Sequence, residues 1–341
     1  QSECFKPVQD DSLVSNDFST TLGALILGFV FLVGVPGNLF IVWSILARIR
    51  RHSVTTFLIL NLACADGFLM ALTLFFVIYL AKQSWVFGIV MCKGVFYLCN
   101  TNMYASIFLI TLMSLHRLVA VLLPTKVSLI ASPRIAKRVV VGMWALVFII
   151  SIPSLGAATP LWTHGCGVSV SCDVCAFQVR FQYAFETVSG FILPYAVIIT
   201  SYVLILRRLR QTQFRKKVRS EKLILAIVVT FGIFWLPYHV INMIQVWRVV
   251  YPPPAGTRAR AVTSALAFIS SCANPVLYTF AGKSYIRQNG FAFMARLLEG
   301  TSLDQGTKKG RSPNSESNVG LNNVVSNGNG GVSTPNEDNT G

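Results

Sequence analysis

Charge is scarce in this chain: 12% of its residues are charged, about half the share of an ordinary soluble domain. With 53% hydrophobic residues, that excludes an ordinary cytosolic protein. Histidine is scarce as well. The four histidines are scattered, so neither a metal cluster nor a paired nucleophile and base is legible, and no enzyme is expected. Internal repeats and interrupted helices in both halves are missing, which argues against a transporter or channel. Residues 1–19 hold no Asn-X-Ser/Thr site, and no cleavable signal peptide follows Gln1. The formal net charge of +16 would suit nucleic acid, but the basic residues lie in short runs between apolar stretches. No nucleic-acid partner is expected.

What the chain has is long apolar runs. Residues 92–124 run from Cys92 through MYASIFLITLMSL to Arg117. As a helix, the stretch from Cys92 to Arg117 is roughly 37 Å long, slightly more than a hydrocarbon core of about 30 Å. Each end would therefore meet a different aqueous compartment. Seven such segments are legible, at about 20–47, 54–81, 89–123, 135–157, 178–206, 221–248 and 259–281. The fold class expected is all-α, a seven-transmembrane helix bundle at residues 20–281. Arg48, Arg50 and Arg51, then Lys126, Arg134, Lys137 and Arg138, then the run from Arg207 to Lys222 fill the first, third and fifth connections. The positive-inside rule then puts the N-terminal tail, 1–19, outside and the C-terminus in the cytoplasm of a plasma-membrane protein. Residues 282–299 place Ile286, Phe293, Met294 and Leu297 at near-helical spacing among basic residues, as in an amphipathic helix on the membrane surface. Residues 300–341 are rich in Gly, Asn and Ser and are expected to form a disordered tail.

Of eight cysteines, Cys64, Cys99 and Cys272 fall inside segments and are expected to be packed apolar thiols. Cys4, Cys92, Cys166, Cys172 and Cys175 would lie outside the cell, where disulfides persist. A clamp from Cys92 to Cys172 or Cys175 is the favoured pairing, and the sequence leaves the choice open.

Polar residues inside the membrane each need a reason. Asp66 lies near mid-span, and Ser106, Ser270 and Asn274 would face it from the third and seventh segments. Hard oxygen ligands of this kind suit a sodium ion, and a structurally hydrogen-bonded Asp is the alternative; no other metal is expected. Pro36, Pro153, Pro194, Pro237 and Pro275 each remove a backbone hydrogen bond within a span. Just before Pro237 stand Phe231 and Trp235, an aromatic cluster at a bend that would repack when the helix moves.

The Gly37-Asn38 pair, LACAD ending at Asp66, Cys92, Arg117 closing the third span, Trp144, Pro194 with Tyr202, FWLP at 234–237 and NPVLY at 274–278 fall one set per segment, in order. Together they resemble the rhodopsin-like G-protein-coupled receptors, over about residues 20–298. The resemblance implies that Arg117 contacts the inserted helix of a heterotrimeric G protein, with Tyr202 and Tyr278 swinging in beside it. Asn274 and Pro275 belong to the same switch. It also implies arrestin and receptor kinases as partners of the tail and, by analogy alone, an inhibitory-class G protein. One departure is His116, which stands where the family carries an acid; it implies a looser inactive state, with a neutral histidine of no switching role as the alternative.

Closer similarity, carried by LPYHVINMIQ, ALAFISSCANPVLY, NMYAS and FETVSGFILP, is to the leukotriene B4 receptors. Ser-Leu-His-Arg and Cys172-X-X-Cys175 lean toward their second, lower-affinity subtype. That resemblance implies a hydroxylated fatty-acid ligand, leukotriene B4 or 12-hydroxy-heptadecatrienoic acid, and a chemotactic or inflammatory signal. Such a ligand needs a cation, donors and acceptors for hydroxyls, and an apolar channel. Arg260 is the leading cation, with Arg180 in reserve, and Tyr104, Glu186, His239 and Asn242 would be the polar partners. Phe96 takes the place of a polar histidine of the high-affinity subtype, which favours a more apolar ligand. A basic peptide received by Glu186 and the acidic tail is the alternative agonist.

Overall fold

The structure is a computed structural model, and it describes residues 17–49, 53–82, 84–125, 132–156, 172–211, 218–247 and 254–281. Among these residues the regular structure is entirely helical. The first three spans are α1 (Asp17–Arg48), α2 (Val54–Lys82) and α3 (Gly88–Leu122). Then come α4 (Pro133–Ile150), the short α5 (Pro153–Gly156), α6 (Cys172–Thr187), a π-helical turn (Val188–Ile192) and α7 (Leu193–Gln211). The last two are α8 (Val218–Trp247) and α9 (Pro254–Ala281). Among the described residues, six stretches are long and apolar enough to cross a membrane, including Arg180–Arg208 through α6, the π turn and α7. The seventh expected span appears as a shorter apolar stretch, Val262–Leu277, within the 28-residue α9.

Packing follows what a bilayer demands. Large apolar side chains point outward, with Leu32 70% and Val141 69% exposed, the reverse of a soluble protein and suited to lipid. The inward faces form one main core in which Ile41, Ile59, Tyr104, Ile110, Val147, Ile198 and Trp235 are all buried. Buried polar side chains tie the spans together. Asn38 donates to the carbonyls of Gly34 (3.0 Å) and Ser271 (3.3 Å), joining α1 to α9. Trp144 Nε1 donates to Asn61 Oδ1 at 3.2 Å, joining α4 to α2. In a medium without water such bonds satisfy groups that hydrocarbon would leave bare.

The prolines take distinct settings. Pro36, Pro237 and Pro275 lie inside helices. Pro153 instead opens α5, so the fourth span, expected as one segment to 157, breaks after Ile150. A Pro has no N–H to continue the ladder, and Ser151 and Ile152 form the turn. Pro194 is the second residue of α7, just past the π turn, where an extra residue per turn has already opened the ladder. Between α2 and α3, Gly88 has φ +75°, a conformation that L side chains avoid. Its carbonyl accepts from Trp85 Nε1 at 2.8 Å, fastening the connection.

One expectation about the cysteines is corrected. Cys272 is buried and Cys99 half-buried, but Cys64 is exposed on the outer surface of α2. A thiol is apolar enough to face lipid, so the sequence does not distinguish the two settings. Cys92 is buried and disulfide-bonded. Cys172 and Cys175, its expected partners, begin α6, with side chains outside the described residues. So do the expected surface helix at 282–299, the tail at 300–341 and nearly all of the tail at 1–19.

Candidate functional site

Three clusters occupy the bundle along the length of α3, starting midway. Asp66, on α2, is fully buried. Its Oδ1 accepts from Ser106 Oγ at 3.1 Å and its Oδ2 from Asn274 Nδ2 at 2.7 Å. Ser271 and Asn102 flank the same carboxylate, and the Asn102 side chain is buried. Asp66, Ser106 and Asn274 therefore meet as expected. Ser270 does not join them: its hydroxyl donates to the Ala267 carbonyl at 2.7 Å and accepts from Trp235 Nε1 at 2.9 Å. The sequence reading missed Ser271 and Asn102. In the pair Ser270-Ser271 a rotation of 100° decides which hydroxyl faces the carboxylate, and spacing alone did not resolve it.

Toward the Cys92 end lie the expected ligand contacts. Tyr104 is completely buried, its hydroxyl 3.2 Å from Ser189 Oγ on the π turn. Glu186, also buried, stands close enough for its charge to act on Tyr104. Gly190 on the π turn lets α3 pack closely here: a Cβ on it would come within 3.0 Å of both Met103 Cε and Tyr104 Cε1. On the facing helix α8, His239 Nδ1 lies 3.2 Å from Thr187 Oγ1, and the imidazole stacks on Phe191 with centroids 4.7 Å apart. Asn242, three residues further along, is fully buried. Between the π turn and α8 runs an open groove of about 480 Å³, lined by Thr187, Phe191, Ile192, Leu236, His239, Val240, Met243, Ile244 and Trp247. It is apolar apart from the His239–Thr187 pair.

Phe96 and Arg180 are half-buried nearer the ends of their spans, and the Arg260 side chain lies outside the described residues. Thr187, Ser189 and Phe191 were missed as site residues. The signal was present, since Thr187 and Ser189 are hydroxyl residues in an apolar span, but their facing depends on the π turn, which shifts the helical register.

The third cluster links the first two. His239, Phe191, Tyr195, Phe231 and Trp235 form a run of ring contacts with successive centroids 4.7, 4.6, 6.3 and 5.5 Å apart. Trp235 then hydrogen-bonds Ser270, next to the residues around Asp66. The Tyr195 hydroxyl donates to the Val228 carbonyl at 2.5 Å, bridging α7 and α8 one turn before Phe231. Pro237 lies two residues beyond Trp235 in α8. At the far end of α3, Arg117 is buried, and His116 Nδ1 sits 3.5 Å from Thr55 Oγ1 of α2. Tyr202 is half-buried beside the main core, whereas the Tyr278 side chain lies outside the described residues.

Residues 37–278 match the family model described as "7 transmembrane receptor (rhodopsin family)". The chain is 39% identical over 306 residues to the human leukotriene B4 receptor 1, covering 87% of each protein. It is 36% identical over 313 residues to the rat leukotriene B4 receptor 2, covering 88% of this chain and 87% of that receptor. It is also 30% identical over 292 residues to the rat somatostatin receptor type 1, covering 82% of this chain and 73% of that receptor. The two leukotriene receptor subtypes stand too close in identity to separate, so the lean toward the second is not decided by them. The chain belongs to the rhodopsin family of seven-transmembrane, G-protein-coupled receptors, and is a signalling receptor of the membrane rather than an enzyme.

Proposed function

We propose that the chain is a plasma-membrane receptor for a hydroxylated fatty-acid mediator, of the leukotriene B4 or 12-hydroxy-heptadecatrienoic acid kind. The observation that carries this reading is the apolar groove of about 480 Å³ with the buried His239–Thr187 pair on its inner wall. An acyl chain needs such walls, and a hydroxyl needs such a partner. The names of the relatives agree with it. Arg260 is the cation assigned to the carboxylate. Glu186, the residue that would receive a basic peptide, is only 2% exposed and stands beside Tyr104, which favours the lipid over the peptide.

Binding next to His239 would bias the ring contacts that end at Trp235. The half of α8 before Pro237, on the Arg117 side, would then move, opening that end to a G protein of the inhibitory class. The acidic first tail would face outside, and the C-terminal tail, cytoplasmic, would receive receptor kinases and arrestin. The cluster at Asp66 fits a sodium ion: one buried carboxylate, neutral oxygens from Ser106 and Ser271, and the Asn102 amide with its oxygen unbonded. An ion there would hold the α2, α3 and α9 side chains together by charge.

The test is G-protein activation in transfected cells by leukotriene B4, 12-hydroxy-heptadecatrienoic acid and a panel of chemoattractant peptides, for wild type and Arg260→Ala. A lipid response weakened at least tenfold in the variant supports the reading. A response to peptide alone overturns it.

A further inference from the structure

The Tyr195 hydroxyl, on α7, rests in a notch of α8 that only a glycine leaves open. It donates to the Val228 carbonyl at 2.5 Å. The helical ladder assigns the same carbonyl to the Gly232 N–H, and an oxygen with two lone pairs can accept both. A Cβ on Gly232 would lie 2.5 Å from the Tyr195 hydroxyl oxygen and 3.1 Å from the ring carbon that carries it. Any side chain at 232 would therefore push the hydroxyl off its acceptor. Gly232 is the only glycine of α8, and glycine is unfavourable inside a helix because it gives up more conformational freedom than other residues. Helix formation does not explain its place; the seated hydroxyl does.

This contact joins the ligand cluster to the Arg117 half of the bundle. The Tyr195 ring meets Phe191 of the π turn, with centroids 4.6 Å apart, and Phe231 of α8, with centroids 6.3 Å apart. Phe191 stacks in turn on His239, on the wall of the groove. Val228 and Gly232 both precede Pro237, in the half of α8 that moves in the proposed function. Tyr195 stands on α7, which packs against α3. Among the described residues α8 packs closely against α6 and α9, and less against α7. A hydrogen bond reaching from α7 therefore holds the moving half of α8 where close backbone packing does not.

We propose that Tyr195 and Gly232 are positioning residues for G-protein activation: the tyrosine hydroxyl, seated in the glycine notch, holds the Arg117 half of α8 to α7 in the agonist-free receptor. Activation then has to lift the hydroxyl from the Val228 carbonyl. The inference rests on the reading that this half of α8 moves, and not on the identity of the ligand.

The experiment uses the full-length receptor as wild type, Tyr195→Phe, Gly232→Ala and the double variant, in membranes without agonist. Nucleotide exchange per folded receptor is measured on a panel of heterotrimeric G proteins of all classes, and thermal unfolding in detergent is measured beside it. Tyr195→Phe keeps the ring and removes only the hydroxyl, so its exchange should rise about threefold or more. Gly232→Ala should raise exchange as well, although alanine strengthens the helix itself. The double variant should rise no further than the larger of the two, because the same bond is lost only once. Unchanged or lower exchange in Tyr195→Phe would overturn the proposal, and with a lowered melting temperature it would mark the hydroxyl as a structural tether. Lower exchange in Gly232→Ala would make the glycine a hinge rather than a notch, and fully additive rises would separate the two residues; either result overturns the proposal. Exchange at the receptor-free level in all four receptors would overturn it too. No agonist is present, so failure here leaves the lipid reading standing, and a receptor that answers only to peptide leaves the positioning role standing.

Discussion

Ser270→Ala should loosen the junction between the sixth and seventh spans. The Trp235 indole, 8% exposed, gives its only N–H to Ser270 Oγ at 2.9 Å. Removing that oxygen leaves a buried donor without its acceptor, a loss of about 1–3 kcal/mol. Trp235→Phe removes the donor and part of the ring, at a packing cost of its own. In the double variant the orphaned N–H is gone, so the two losses should not add, and the coupling between the sites should be about 1 kcal/mol. Thermal unfolding of the four receptors in detergent gives the cycle. Because Trp235 continues the ring contacts from His239 and Phe231, Ser270→Ala should also raise agonist-free G-protein activation, read as nucleotide exchange in membranes. Additive melting shifts together with unchanged basal activity would refute the coupling.

Gly37→Ala should destabilise by about 1–3 kcal/mol, since the new Cβ would lie 2.8 Å from Pro275 Cβ on α9. Gly28→Ala, which meets nothing within 4 Å, should be neutral or stabilising by about 0.5–1 kcal/mol in a helix interior; the same melting assay compares them. Asp66→Asn should abolish any gain in melting temperature that wild type shows in sodium over choline chloride, because a neutral amide cannot hold the ion. For the wild type, 100 times the dissociation constant of sodium would be worth about 2.7 kcal/mol. His116→Asp, which restores the family's usual acid beside Arg117, should lower agonist-free nucleotide exchange relative to wild type.

The fold was legible in the sequence because the bilayer imposes a coarse rule: about twenty apolar residues per crossing, basic residues between them. The same rule missed the break after Ile150 and the π turn at Val188–Ile192, since hydropathy does not register a change of helical type. Of the seventh expected span, only Val262–Leu277, within the 28-residue α9, is strongly apolar among the described residues. In the site, Asp66, Ser106 and Asn274 were legible because a carboxylate in hydrocarbon demands partners. His239 was legible from its spacing to Trp235. Ser271, Thr187 and Ser189 were not, because adjacent hydroxyl residues differ only in which way they face.

The most direct measurement is saturation binding of labelled leukotriene B4 to purified wild-type and His239→Ala receptor. Wild type should bind saturably, and the variant at least tenfold more weakly, a loss of about 1.4 kcal/mol or more. No saturable lipid binding, with a basic peptide binding in its place, would contradict a lipid receptor built around His239.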